Sequence, residues 1–234
     1  MAQTEVAALD STVTVTPAAA TDYLFRGISQ TRNRPAGQLT VDVEHSSGVY
    51  IGGFLSNVAF VGTNARQELD GSAGYRFALG DLKLDLGATY YGYPGYSNEG
   101  SSGAPGRFNA NPLDFFEAIA RANYTVGPAK LLGTVAYSPG YFGDSGTGWY
   151  IEGGVDLALP YEFTLSGRLG YQWIQNNVQF GAPDYLNFGV SVSREVYAGF
   201  ILSVGYYGTD VSETQCGGLK VCNNRFMAAL SRPF

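Results

Sequence analysis

Apolar side chains recur at every second position along most of the chain. The clearest case spans two runs. Leu69, Ala73, Tyr75, Phe77 and Leu79 alternate with Glu68, Asp70, Ser72 and Arg76; after Gly80-Asp81, Leu82, Leu84, Leu86, Ala88 and Tyr90 alternate with Lys83, Asp85 and Thr89. A period of two is the mark of a strand with one apolar and one polar face, and a short Gly-containing link between two such runs reads as a hairpin. The same pattern predicts a strand from Thr12 to Gly27, with Val13, Val15, Ala19, Tyr23 and Phe25 on the apolar face and Thr12, Thr14, Thr16, Asp22 and Arg26 on the other. Further runs follow over 38–44, 49–58, 116–125, 131–137, 149–159, 163–173, 186–193 and 198–206. Placing Val43 opposite Ile51 sends Val49, Ile51 and Leu55 outward and Tyr50 and Phe54 inward.

About twelve strands result, and their connections alternate. Short ones fall near residues 47, 80, 127, 160 and 195; long ones fall near 32, 62, 102, 143, 179 and 215. All long loops at one end and all tight turns at the other is the pattern of an outer-membrane β-barrel, with short periplasmic turns and longer outside loops on an even strand count. The C-terminal stretch Arg225 to Phe234 fits, with Phe226, Ala228, Leu230 and Phe234 on one face and only Arg232 breaking it. In hydrocarbon an unpaired strand edge leaves polar backbone groups unsatisfied, so the final strand is expected to pair with the first. The expected fold is therefore all-β: a single closed antiparallel transmembrane barrel over residues 12–234, preceded by a polar leader over 1–11.

Composition supports that reading. Charged residues make up 15% of the 234-residue chain, aromatics 14%, and Gly contributes 32 residues. Mean hydropathy is -0.05, as expected when half of every strand faces water. No apolar run reaches the 18 residues of a spanning helix. A net charge of -6 argues against nucleic acid as a partner. Cys216 and Cys222, with one His in the chain, make a poor zinc set, and a loop-tightening disulfide in an oxidising compartment is the expected use. Met1-Ala2-Gln3 lacks the features of a signal peptide, so the chain is expected to be a mature form after signal-peptide removal, with an added start Met. Aromatics near the ends of the outer face (Tyr23, Phe25, Tyr75, Phe77, Phe116, Tyr124, Trp149, Phe163, Tyr171, Trp173, Phe234) are where interfacial girdles belong.

The run Thr21-Asp22-Tyr23-Leu24-Phe25-Arg26-Gly27-Ile28-Ser29-Gln30-Thr31, followed by Pro35-Ala36, resembles the opening signature of TorF-family porins of Gram-negative bacteria. Further matches include Ser56-Asn57, Glu68-Leu69-Asp70, Gly74-Tyr75, Tyr91-Gly92-Tyr93-Pro94-Gly95, Glu117, Tyr137 to Phe142 and Glu152, and they cover nearly all of the chain. The resemblance implies an outer-membrane barrel of porin type. The Arg-Pro-Phe ending departs slightly from the usual barrel ending.

Hairpin geometry sets Arg76 opposite Asp85, Asp70 opposite Tyr91, and Glu152 opposite or diagonal to Arg168. Such pairs would stiffen the wall; equally, Arg26, Asp70, Arg76, Asp85, Glu117, Arg121, Glu152 and Arg168 could line a transport path and set its selectivity. Mixed signs predict weak ion selectivity. The segment from Gly92 to Pro112 is a candidate inward constriction, with an outside solvated loop as the alternative, and Gly27 is a candidate bend. Enzyme readings are weak: His45 sits by a short turn, and Glu68 with Asp70 could form an acid/base pair or cation site without completing a catalytic set. No cofactor is expected. The lead expectation is a passive channel for small hydrophilic solutes, with membrane lipids and those solutes as partners. A non-conducting structural or adhesive barrel, or a soluble ligand-binding barrel, are the alternatives. Nothing in the sequence signals an oligomeric state.

Overall fold

The computed structural model describes residues 4–6, 10–96, 113–180 and 183–234. Twelve antiparallel strands close on themselves: β2 (Ser11–Ala20), β5 (Ala36–His45), β6 (Val49–Asn57), β7 (Gln67–Leu79), β8 (Leu82–Gly92), β9 (Phe115–Val126), β10 (Ala129–Ser138), β11 (Gly148–Ala158), β12 (Thr164–Ile174), β13 (Tyr185–Tyr197), β14 (Phe200–Thr209) and β15 (Arg225–Ser231). Each pairs with its chain neighbour, and β2 joins β5 on one side and β15 on the other. Three short strands stand outside that ring: β1 (Thr4–Val6), β3 (Leu24–Phe25) and β4 (Ile28–Ser29). Among the described residues the α-helical content is one turn, Asn177–Phe180, in a loop.

The closing seam runs between β15 and β2. Ala229 faces Ala20, Leu230 faces Ala19, and Ser231 faces Ala18. Pairing continues beyond the regular ladder: the Arg232 amide donates to the Pro17 carbonyl (3.1 Å), and Val15 and Phe234 exchange both amide bonds (3.2 and 2.9 Å). The ladder falters at Pro17 because a strand residue's N–H and C=O point to the same side, and proline has no N–H to return to β15. Past Phe234, the leader takes over the edge, with Thr4 opposite Val13 and Val6 opposite Ser11. Part of the expected polar leader thus completes the first strand's pairing.

Outside, the barrel presents large apolar side chains. Ile51, Leu86, Val135, Ile151, Val155, Leu169, Val190, Leu202 and Val204 are all exposed and occupy outward positions. Val43 does face Ile51, and Tyr50 points inward and is buried. Aromatics band the outer surface: Trp149 is the register partner of both Tyr137 and Trp173, and Tyr90 of Phe116. Tyr75, Tyr124 and Phe234 are exposed nearer the tight-turn end. Lipid is the solvent such a surface suits, because water would leave a continuous apolar belt far larger than a soluble monomer carries.

Three expectations need correction. The first strand stops at Ala20 rather than running to Gly27, and Tyr23 and Phe25 lie inside the barrel rather than in an outer girdle. Asp22 is the cause. Its Oδ1 accepts from the Tyr23 amide (2.8 Å), the Ser29 hydroxyl (2.6 Å) and the Thr31 hydroxyl (2.6 Å), which turns the chain off the wall. The link expected near Glu195-Val196 lies at Ala198-Gly199, where both residues have positive φ (47° and 83°). A register shift between Glu195 and Tyr197 absorbs the extra residue, so the outward phase of Val192, Leu202 and Val204 is kept. The Pro160-Tyr161 link is a longer one, with a short 3-10 turn over Pro160–Glu162.

Candidate lumen constriction

The first long loop folds into the barrel as the two-residue hairpin β3–β4. Its tip is Arg26-Gly27, both with positive φ (47° and 81°). Arginine is uncommon there, since a Cβ crowds the left-handed conformation. Gly27 is required on a second count: a Cβ would meet the Gly208 carbonyl oxygen at 2.7 Å and the Thr209 methyl at 2.8 Å. The hairpin therefore presses against β14 on one side. On the other, the Tyr23 hydroxyl donates to Glu68 of β7 at 2.5 Å.

Arg26 fills the space between. Its Nη2 donates to Glu117 Oε2 of β9 (2.7 Å), and its Nη1 donates to Gln172 Oε1 of β12 (2.5 Å). The side chains of this ion pair are only 8% and 2% exposed. The guanidinium lies 4.0 Å from the Tyr150 ring centroid and 4.7 Å from that of Phe25. Gln172, fully buried, is held by donating to the Trp149 and Trp173 carbonyls. Removing two charges from water is costly, so such a pair survives only with near-complete hydrogen bonding, and loss of one partner leaves a buried charge.

Above the Arg26 socket, apolar side chains from the long loops form an inner cap. Val58, Ala65, Tyr93, Leu113, Phe115, Tyr141 and Ile174 pack into one buried cluster, with Phe25, Phe60 and Tyr91 against it. Tyr91 and Phe115 stack at 4.3 Å between centroids, and Phe25 meets Tyr91 edge-on at 5.7 Å. Burial pushes the Tyr141 phenol up to about 12, against the opposing effect of Arg26. Among the described residues, a packed core thus fills part of the long-loop end of the lumen.

The tight-turn half differs. Arg76 binds Asp42 through Nη1 and Nη2 (2.8 and 2.9 Å) and Glu44 through Nη1 (2.5 Å), with Asp85 further away at 3.7 Å. Arg121 reaches Asp85 at 3.4 Å, and Arg168 binds Asp156 at 2.6 Å. These side chains are 18–45% exposed. Register does put Arg76 opposite Asp85 and Asp70 opposite Tyr91. Glu152 lies opposite Gly170, and Arg168 opposite Gly154, so the two are diagonal. They do not pair. Arg168 turns to Asp156 on the other diagonal, where Ser166 also donates, while Glu152 accepts from the Tyr150 hydroxyl at 2.7 Å.

Glycines give these groups room. Tyr50 lies along the wall over Gly74 and Gly87, where a Cβ would sit 2.7 and 2.3 Å from its hydroxyl oxygen, and so reaches Asp85 at 2.8 Å. Its ring also lies 3.8 Å beneath the Arg76 guanidinium. Tyr150 uses Gly170 in the same way.

Of the predicted lumen residues, the structure gathers Arg26 and Glu117 in the closed half, with Asp70 nearby, and Arg76, Asp85, Arg121 and Arg168 in the open half. Sequence reasoning missed Asp42, Glu44, Asp156, Gln172, Tyr141 and Tyr150. The alternation marked Asp42, Glu44, Asp156, Gln172 and Tyr150 as inward, but not their partners; nothing local marks Tyr141. Most of the 92–112 segment, the expected constriction, lies outside the described residues. His45 is exposed and shares a hydrogen bond with Ser47. Cys216 and Cys222 are bonded to each other in the loop before β15.

A closed, upright barrel of this kind is a porin-like fold. Residues 5–234 match the family described as "Bacterial protein of unknown function (Gcw_chp)", and the chain belongs to that family. Among solved structures it is similar to the KdgM porin in complex with disordered oligogalacturonate, at TM-score 0.61 and 9% identity over 94% of this chain and 99% of that one. The NanC porin is similar at TM-score 0.57 and 9% identity, covering 94% and 97%. No curated protein sequence matches the chain.

Proposed function

We propose that the protein is an outer-membrane channel of porin type, passing small hydrophilic solutes by diffusion, with the β3–β4 hairpin as its constriction. The observation that carries this reading is the two-faced wall: a closed ring of strands, aliphatic outside, with charged and hydroxyl groups inside. The likeness to KdgM and NanC supports the architecture, and the Thr21–Thr31 run supports placement with the TorF-family porins. Ion pairs of both signs line the open half, so little ion preference is expected.

Reconstitution into planar bilayers and liposomes tests the proposal. Stepwise conductance, and swelling in sugars and amino acids, are expected. A reversal potential far from zero in a salt gradient would contradict weak selectivity. One observation favours a second reading, a non-conducting barrel: the Arg26 hairpin and the aromatic cap close the long-loop half. Silence from the wild type and from a Glu117→Ala variant alike would leave that second reading in place. Failure to partition into detergent would sink both.

A further inference from the structure

The outer face of the barrel is almost free of charge, and its exceptions fall together. Among the outward positions of the twelve strands, Arg194 on β13 is the only Asp, Glu, Lys or Arg. Arg232 follows one residue past the end of β15 and continues the outward series of Phe226, Ala228 and Leu230. Arg194 is opposite Leu202 of β14, and Leu202 is opposite Leu230 of β15, so both arginines stand at the tight-turn end of neighbouring strands. The Arg194 guanidinium lies 5.1 Å from the Phe163 ring centroid. That of Arg232 lies 4.4 Å from Phe234 and 5.1 Å from Phe200. None of the ion pairs among the described residues includes either one. Glu195, next to Arg194 in the chain, turns instead to the Gly199 amide, from which it accepts at 2.8 Å. Tyr161 and Tyr197, in the turns beside them, are highly exposed, as interfacial aromatics are.

A charge on the lipid face is costly at mid-membrane and cheap only near the headgroups, which sets the depth of both arginines. Contact with a ring holds a guanidinium by its face and leaves the N–H groups at its edge unspent. Those groups form a planar fork that fits two oxygens of a phosphodiester. We infer that Arg194 and Arg232 bind the phosphates of anionic phospholipids in the leaflet at the tight-turn end, with the phenylalanine rings as their supports. Charge selects the anionic class. Two positive charges without a carboxylate partner match headgroups of net negative charge, whereas a zwitterionic headgroup brings its own cation. The inference rests on the membrane placement in the proposed function and does not need the barrel to conduct.

Native mass spectrometry tests it on the full chain folded in detergent and offered phosphatidylglycerol and phosphatidylcholine of equal chain length. Each arginine is expected to give roughly a fivefold preference for the anionic lipid, so wild type should retain phosphatidylglycerol about twentyfold over phosphatidylcholine. Arg232→Gln should lower that preference roughly fivefold, and Arg194→Gln with Arg232→Gln should abolish it. Lys220→Gln, which removes the same charge in the loop before β15 at the far end, should keep it. Equal retention of the two lipids by wild type overturns the inference, and so does an unchanged preference in the double variant. Displacement of the lipid by excess inorganic phosphate overturns the lipid as ligand. Should the double variant fail to fold, wild type and Arg232→Gln carry the same outcomes. A chain that conducts in bilayers yet shows no preference loses this inference alone; one that enters neither detergent nor bilayer loses the proposed function as well.

Discussion

The two halves of the lumen use the same residue types to opposite ends. In the long-loop half, Arg26 and Glu117 are almost wholly buried, roofed by aromatic side chains and tied to Gln172. In the tight-turn half, Arg76, Arg121 and Arg168 meet carboxylates while facing water. A buried pair contributes through the penalty for breaking it, because the remaining charge cannot be rehydrated. An exposed pair is screened, and either partner can turn to solvent. Charge in the first half therefore locks a shape; charge in the second stays hydrated and free to rearrange.

The sharpest way to break this comparison is Glu117→Ala. It should cost about 3–5 kcal/mol by stranding Arg26, and free the hairpin. A lower urea midpoint and a larger single-channel conductance are the expected readings; an unchanged midpoint would mean the socket is not dry. Arg26→Lys keeps the charge and loses the fork that serves Glu117 and Gln172 together, at a cost of about 1.5–3 kcal/mol. Its conductance should fall between wild type and Glu117→Ala. Gly87→Val tests the open half by its floor rather than its charge. The side chain would strike the Tyr50 hydroxyl and backbone of Ala73, for about 1–3 kcal/mol, and detach Tyr50 from Asp85. A tyrosine fluorescence or exchange measurement that saw no change at Tyr50 would argue against the close approach. The smallest effect is expected of Asp42→Asn. Arg76 keeps Glu44 and Asp85, so stability should move by less than about 1 kcal/mol, while reversal potential shifts toward anions. A loss like that of Glu117→Ala would erase the distinction between the halves.

Most of the barrel was legible from alternation alone. With a period of two, one face of each strand must be apolar if it meets lipid, and the placing of short and long links then sets strand order and which end each loop occupies. The pairing of Arg76 with Asp85 in register follows from the length of the Gly80-Asp81 turn. Asp42 and Glu44 were visible as inward residues, but that Arg76 prefers them to Asp85 depends on reaching across β6 over the Tyr50 ring, which no single hairpin shows.

Periodicity and turn chemistry, which act between neighbours in the chain, determined the strands, their faces and the closed sheet. Tertiary structure decided what fills the cylinder. The alternation of Tyr23 and Phe25 continues that of β2, yet Asp22 turns the segment inward because Ser29 and Thr31 come back to bond it, and because Glu68, Glu117 and Gln172 offer partners from distant strands. Those partners lie 45, 91 and 146 residues away along the chain from the groups they bind. Only closure of the barrel brings them within 3 Å, and only there does burial make their charges decisive.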